Sequence, residues 1–252
     1  MHRHLPNTRA QTSYRHPGLV GLTLWRASRL RRDLPSRRYQ MESYSRPPAR
    51  SRCTLTTSSI ELESFARIQR EVSFAHLGRQ AAEIAARIIH ATGDIELIDD
   101  LIINEDAIER IIWGLDHQVP IIVDVRMVGA GVTKLAPLIA IDAVQTPRDP
   151  NETRSHNGMA ALLDATAGRA PIIVVGSAPT ALRAVLEYTG EHPLAVIGMP
   201  VGFVDALESK QALAHSGLAH ITNSSRRGGS PMAAATLNAL LLLSKGEYRL
   251  DY

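Results

Sequence analysis

Three short apolar runs constrain this chain more than any other feature. Pro120–Val125 reads PIIVDV, Pro171–Gly176 reads PIIVVG and Pro193–Gly198 reads PLAVIG. Each begins at a proline and shows little polar alternation, which is the pattern of a strand covered on both faces. Each is followed by a loop and then a helical pattern. Such a chain folds as right-handed βαβ crossovers around a parallel sheet. The expected fold class is α/β: a single domain with a mostly parallel sheet flanked by helices, over residues 55–252. In such sheets, ligands bind beyond the carboxyl ends of the strands, near helix N-termini.

Helical periodicity fills the segments before the first run. Residues 60–72 place Leu62, Phe65, Ile68 and Val72 near one face, and residues 79–91 do the same with Ile84, Ile88 and Ile89. Gly93 is a stop signal after His90. Asn104 to Leu115 reads as a third helix, with Asn104 as N-cap and Glu105 and Asp106 in its first turn. No internal repeat is visible.

Charge divides the chain. Residues 1–52 hold twelve arginines against two acids, Asp33 and Glu42, whereas the remaining 200 residues carry an excess of seven negative charges. With its Ser and Pro content and weak periodicity, the segment 1–54 is expected to be a disordered basic extension. Three readings of it compete: a transit peptide, an arm for nucleic acid or a membrane surface, and a dispensable extension with Met41 as an alternative start. The third is favoured. A signal peptide is not, because the apolar run Gly18 to Leu24 is broken by glycines. A single cysteine excludes a disulfide framework and any multi-thiolate zinc site. No apolar stretch is long enough to span a bilayer, and aromatics at 4% argue against a base-stacking platform. Neither membrane nor nucleic acid is an expected partner of the domain.

Four segments are candidates for ligand contact. Gly176-Ser177-Ala178-Pro179-Thr180 follows a strand, with Pro179 suited to a first helical position and Ser177 to capping, so its amides are expected to face an anion. It lacks GxGxxG and a Walker lysine, which weakens a nucleotide reading. In Gly198 to Lys210, Gly202 permits close backbone approach, while Glu208 and Lys210 taken alone read as solvated surface. Ser224 to Leu243 opens with Arg226, Arg227, Gly228, Gly229 and a Ser-Pro helix start, an arrangement suited to a carboxylate-rich ligand. Thr153-Arg154-Ser155 sits at another helix start. There Arg154 opposes the helix dipole and is better understood as serving an anion. His90 has the one side chain type whose ordinary pKa suits proton donation near neutrality. It has no companion at metal-ligand spacing, and no G-x-S-x-G elbow accompanies it, so metal and serine-hydrolase sites are not expected.

Seven segments in order resemble the precorrin-8X methylmutase family of corrin biosynthesis. They are ESFARIQRE (63–71), ARIIHATGD (86–94), DVRMVGAGV (124–132), TRS (153–155), VGSAPTAL (175–182), IGMPVGFVDALESK (197–210) and RRGGSPMAAATLNAL (226–240). The resemblance implies migration of a methyl group between adjacent carbons of the macrocycle, giving hydrogenobyrinate or its cobalt form. It implies no organic cofactor and no metal of the protein's own. It makes His90 the general acid and Ser64 a substrate contact. It implies that Arg154, Arg226, Arg227, Lys210 and the helix starts recognise the ring carboxylates, with Met127, Val128, Met199 and Phe203 as apolar walls. A cytoplasmic homodimer with the site near its interface follows from the same resemblance, with the corrinoid substrate and product as ligands. The chain departs from the family pattern at Glu63, Arg126, His156 and Asn157, and over Lys134 to Glu152. A non-catalytic tetrapyrrole-binding paralogue and a phosphate-binding α/β enzyme stay open as alternatives.

Overall fold

The computed structural model describes residues 57–250 apart from 145 and 147, so the reading of residues 1–54 lies outside the described residues. Two helices open the described chain, α1 (Thr57–Glu71) and α2 (Arg79–Thr92). Gly93 adopts the left-handed conformation after α2, and its N–H returns to the Ile89 carbonyl. Phe65 packs on Ala82 and Ala86, and Ile68 and Val72 on Ile89, as the apolar spacing anticipates. In α3 (Glu105–Asp116) the Asn104 side chain accepts from the Ala107 N–H at 3.2 Å.

Six strands form one sheet: β1 (Leu101–Ile103), β2 (Ile121–Val123), β3 (Leu138–Ile139), β4 (Ile172–Val175), β5 (Ala195–Gly198) and β6 (His220–Asn223). Their order is β1-β6-β5-β4-β2-β3, parallel throughout except for β1 against β6. The three anticipated runs are β2, β4 and β5. Between the strands run α4 (Arg126–Gly131), α5 (Arg154–Ala165), α6 (Pro179–Glu187) and α7 (Ala206–Ala214), and α8 (Ser230–Leu243) follows β6.

Alternation along the strands divides the core. Ile172 and Val174 face a cluster with Ile84 and Ile88 of α2, Ile108 and Ile111 of α3, and Leu237 and Leu240 of α8. Ile173 and Val175 face Met159 and Leu163 of α5, Leu182 and Val185 of α6, and Leu213 of α7. Each such aliphatic side chain contributes about 1.5–3 kcal/mol by leaving water. α8 is apolar nearly all round because α2, α4 and the sheet surround it.

The strand order reverses between β2 and β4, which marks the crevice where open α/β sheets take ligands. Here Asp124, fully buried just past β2, fills it. Its Oδ2 accepts the N–H groups of Ser177 at 2.7 Å and Ala178 at 2.8 Å, and its Oδ1 that of Val125 at 2.9 Å. The expectation that these amides await a ligand anion is therefore corrected: the protein supplies the anion. Ser177 does not cap α6 either. Ala178 stands at the N-cap with no side-chain bond, and the Ser177 hydroxyl instead meets that of Ser230 at 2.8 Å, at the start of α8. A Cβ at Gly176 would come within 3.0 Å of the Ser230 Cα, so the glycine serves this contact between helix starts.

Candidate active site

His90 lies in the last turn of α2, where α1 crosses it. Its Nδ1 is 2.8 Å from the Ser64 hydroxyl, and its ring stacks on Phe65 with centroids 5.2 Å apart and planes 10° from parallel. The stack and the hydrogen bond fix the imidazole plane. Its Nε2 has no partner among the described residues. One turn earlier on the same helix face, Arg87 pairs with Glu61 of α1 at 2.7 Å. Burial, and after it the Arg87 charge, hold the His90 pKa below the ordinary 6.5, while Glu61 opposes them.

The imidazole opens onto a cavity of about 470 Å³. Its far wall is α8, from Pro231 through Ala234 and Ala235 to Leu242. Gly131 and Thr133 close one side, held to α8 by Asn238. That side chain accepts from the Thr133 N–H at 2.9 Å and donates to the Gly131 carbonyl at 2.8 Å. Lys134, with φ of 62°, holds a backbone conformation unusual for a side-chain-bearing residue. The charges are lopsided: Arg87, Lys134, Lys245 and Arg249 line the cavity against the single carboxylate of Glu61.

Ser64 thus meets His90 directly and is not itself among the cavity-lining residues, and the cations expected to recognise the ring carboxylates are not in this cavity. Lys210 is 1% exposed. Its Nζ donates to Asn223 Oδ1 at 3.1 Å, to the Arg227 carbonyl at 2.6 Å and to the Ser225 carbonyl, spending all three donors on the last residue of β6 and the turn after it. Burial pulls its pKa down to about 8 against the opposing charge of Asp100. Neither solvated surface nor a free substrate cation describes it, so both expectations are corrected. Arg227 is ringed by Asp94 at 3.3 Å, Asp100 at 3.4 Å and Glu96. Its charge is met by the turn that follows α2, so it too is not the free cation expected. Gly228 has φ of 156°, and a Cβ there would sit 2.4 Å from the Met199 carbonyl; the Gly229 N–H then bonds that carbonyl at 2.9 Å. These glycines let the turn pack on the end of β5 rather than on a ligand. Val128 and Met199, expected as ring walls, are fully buried core residues, whereas Met127 and Phe203 are 67% and 89% exposed.

Arg154 and Arg226 are exposed, and neither side chain has a partner among the described residues. Thr153 caps α5 through the His156 N–H at 3.2 Å and meets Thr180, at the start of α6, at 2.6 Å. Ser155 is half-buried in the first turn of α5, and Gly202 lies half-buried in the loop after β5. The residues that depart from the family pattern are absorbed locally. Glu63 pairs with Arg67, Arg126 with Asp142 at 2.6 Å and His156 with Glu187 at 3.2 Å. Asn157 is buried and ties down the loop before α5, accepting from the Asp149 N–H at 2.8 Å and donating to its carbonyl at 2.9 Å.

Sequence reasoning passed over Arg87, Lys134, Lys245 and Arg249. Arg87 was within reach, since residues three apart on a helix share a face. No local pattern signals Arg249.

Comparisons with known proteins agree with this architecture. A family model described as precorrin-8X methylmutase matches residues 59–243. The chain is 36% identical over 210 residues to a cobalt-precorrin-8 methylmutase of Synechocystis sp. (strain ATCC 27184 / PCC 6803 / Kazusa), covering 73% of this chain and 95% of that protein. It is 34% identical over 197 residues to a precorrin-8X methylmutase of Sinorhizobium sp, covering 73% of this chain and 93% of that one. A solved precorrin-8x methyl mutase from Thermus thermophilus superimposes with a TM-score of 0.67 at 30% identity, over 76% of this chain and 98% of that chain. With the fold, the ordered segments and full-length relatives in accord, this chain belongs to the precorrin-8X methylmutase family.

Proposed function

We propose that this chain isomerises a precorrin-8-type macrocycle, moving a methyl group between adjacent carbons to give hydrogenobyrinate or its cobalt form, with His90 as general acid. The observation that carries this is the arrangement of His90 itself. A fixed imidazole with one nitrogen engaged and the other unpartnered faces a cavity with an excess of three positive charges. A methyl shift needs no nucleophile. It needs a proton placed on the ring and a geometry that aligns the migrating group. His90 gives the proton, the macrocycle loses one after the migration, and the product is an isomer of the substrate. The ring carboxylates partly neutralise the surrounding cations. Binding therefore raises the His90 pKa that burial and Arg87 depress, and so charges the acid when substrate is present.

A homodimer completes the reading. At about 470 Å³ the cavity takes one edge of a large macrocycle and leaves the rest uncovered. Phe203 and Val204 are 89% and 78% exposed, a costly display for an unpartnered surface. A second copy would cover such residues and bring Arg154 and Arg226 to the ring. Incubation with precorrin-8X tests the reading: the absorption spectrum should move to that of hydrogenobyrinate. Tight binding without conversion would instead favour the non-catalytic paralogue. The phosphate-binding alternative loses its support, because Asp124 already occupies the amides it requires.

A further inference from the structure

The last residues of the described chain lie beyond the stretch that the family model matches, which ends at residue 243. They nonetheless supply two of the four cations around His90, Lys245 and Arg249. Their course is fixed by several independent contacts. Gly246, with φ of 72°, reverses the chain after α8: its N–H bonds the Leu243 carbonyl at 2.9 Å, and the Glu247 N–H bonds that of Leu242 at 3.0 Å. The Arg79 guanidinium lies 4.1 Å from the centre of the Tyr248 ring. Leu250 is buried against Phe65, Ala82 and Ala86.

The strongest tie is Glu83, a carboxylate in α2 that is only 4% exposed. It accepts the Arg249 N–H at 3.0 Å on both oxygens and the Leu250 N–H at 2.8 Å. A buried carboxylate is costly unless it is hydrogen-bonded. Among the described residues it pairs with no cation; its bonds go to two consecutive backbone N–H groups, those of Arg249 and Leu250. That leaves the Arg249 guanidinium to reach the cavity wall, 3.8 Å from Glu61, while its Nη1 donates to the Tyr248 carbonyl at 3.3 Å. Glu61 is already engaged by Arg87 at 2.7 Å, and the other acid near Arg249 is Glu247, at 3.1 Å.

We propose that residues 245–250 form a strap completing the His90 cavity, and that Arg249 is a substrate-binding residue for one peripheral carboxylate of the macrocycle. The inference rests on the methylmutase reading above. An arginine suits the role because its planar fork meets a carboxylate through two parallel bonds. Glu83 is the positioning residue that sets where the fork stands.

The test is titration with hydrogenobyrinate, together with steady-state kinetics on precorrin-8X, for the wild type, Arg249→Ala and Arg249→Lys. For Arg249→Ala the product Kd and the substrate KM should both rise about tenfold, since a charge-assisted contact is lost. Its kcat should stay within about twofold, because the proton donor is untouched. Arg249→Lys should recover part of the affinity. The melting temperature of Arg249→Ala should match the wild type, because the bonds to Glu83 use the backbone. A wild type that binds and converts, beside an Arg249→Ala variant with unchanged Kd, overturns the strap assignment and leaves the methylmutase reading standing. A fall in melting temperature with no rescue by lysine assigns Arg249 to folding and likewise overturns it. A wild type that neither binds nor converts overturns both.

Discussion

At the carboxyl ends of the strands, Asp124, Lys210 and Arg227 are each satisfied by the protein itself: by backbone amides, by the turn after β6 and by three carboxylates. Around His90, four cations line the cavity against one lining carboxylate, with Glu247 meeting Arg249 at 3.1 Å, and the imidazole has a nitrogen with no partner among the described residues. Both regions are rich in charge and both border α8. They differ in whether the charges are spent. A charge saturated by its own chain holds the fold together, whereas charges left in excess around a cavity have binding to offer. The strand-end crevice, where this class of sheet most often takes its ligand, is here a piece of structure. In the function proposed above, the chemistry lies instead at the corner between α2 and α8.

Substitutions on the two sides should fail in different ways. The largest effect belongs to His90→Ala, which should cost about 10²–10⁴-fold in turnover while hydrogenobyrinate still binds. Single-turnover assays on precorrin-8X would read it, and binding lost in parallel with turnover would blur the contrast. Next comes Lys210→Met. It orphans three oxygens at the end of β6 and in the turn after it, and should destabilise the fold by about 3 kcal/mol in urea denaturation. A stable variant with weakened product binding would return Lys210 to the ligand. The pH profile gives a smaller, signed effect. The activity limb should fall as pH rises through the His90 pKa, which lies below 6.5 in the free protein. It should therefore appear at lower pH in kcat/KM than in kcat, because kcat reports the complex. The reverse order would mean that the substrate does not charge the imidazole. Smallest is the stability effect of Arg226→Ala, within about 0.5 kcal/mol, since that side chain has no partner among the described residues to lose.

The contrast also explains what the sequence disclosed. β2, β4 and β5 were legible because both faces of each are buried, which leaves an unbroken apolar run. β1 and β3 are two or three residues long, and β6 reads HITN, where buried His220 and Asn223 hide the pattern. Local signals revealed the caps at Gly93 and Asn104, and the helix start at Thr153-Arg154-Ser155, because helix ends are settled within a few residues. They misled at Ser177 and Lys210, whose partners are distant in sequence: Asp124 and Ser230 for one, the turn after β6 for the other. His90 stood out only as a lone imidazole, and the roles expected of it and of Ser64 came from the resemblance rather than from pattern. Arg249 was invisible because its place depends on Glu83, far away along the chain.

The most direct measurement is a crystal structure of the protein with hydrogenobyrinate bound. The macrocycle edge should lie over the His90 cavity, with a ring carbon within about 3.5 Å of Nε2. A macrocycle seated at the Gly176–Thr180 turn, with the imidazole far from every ring atom, would contradict that placement.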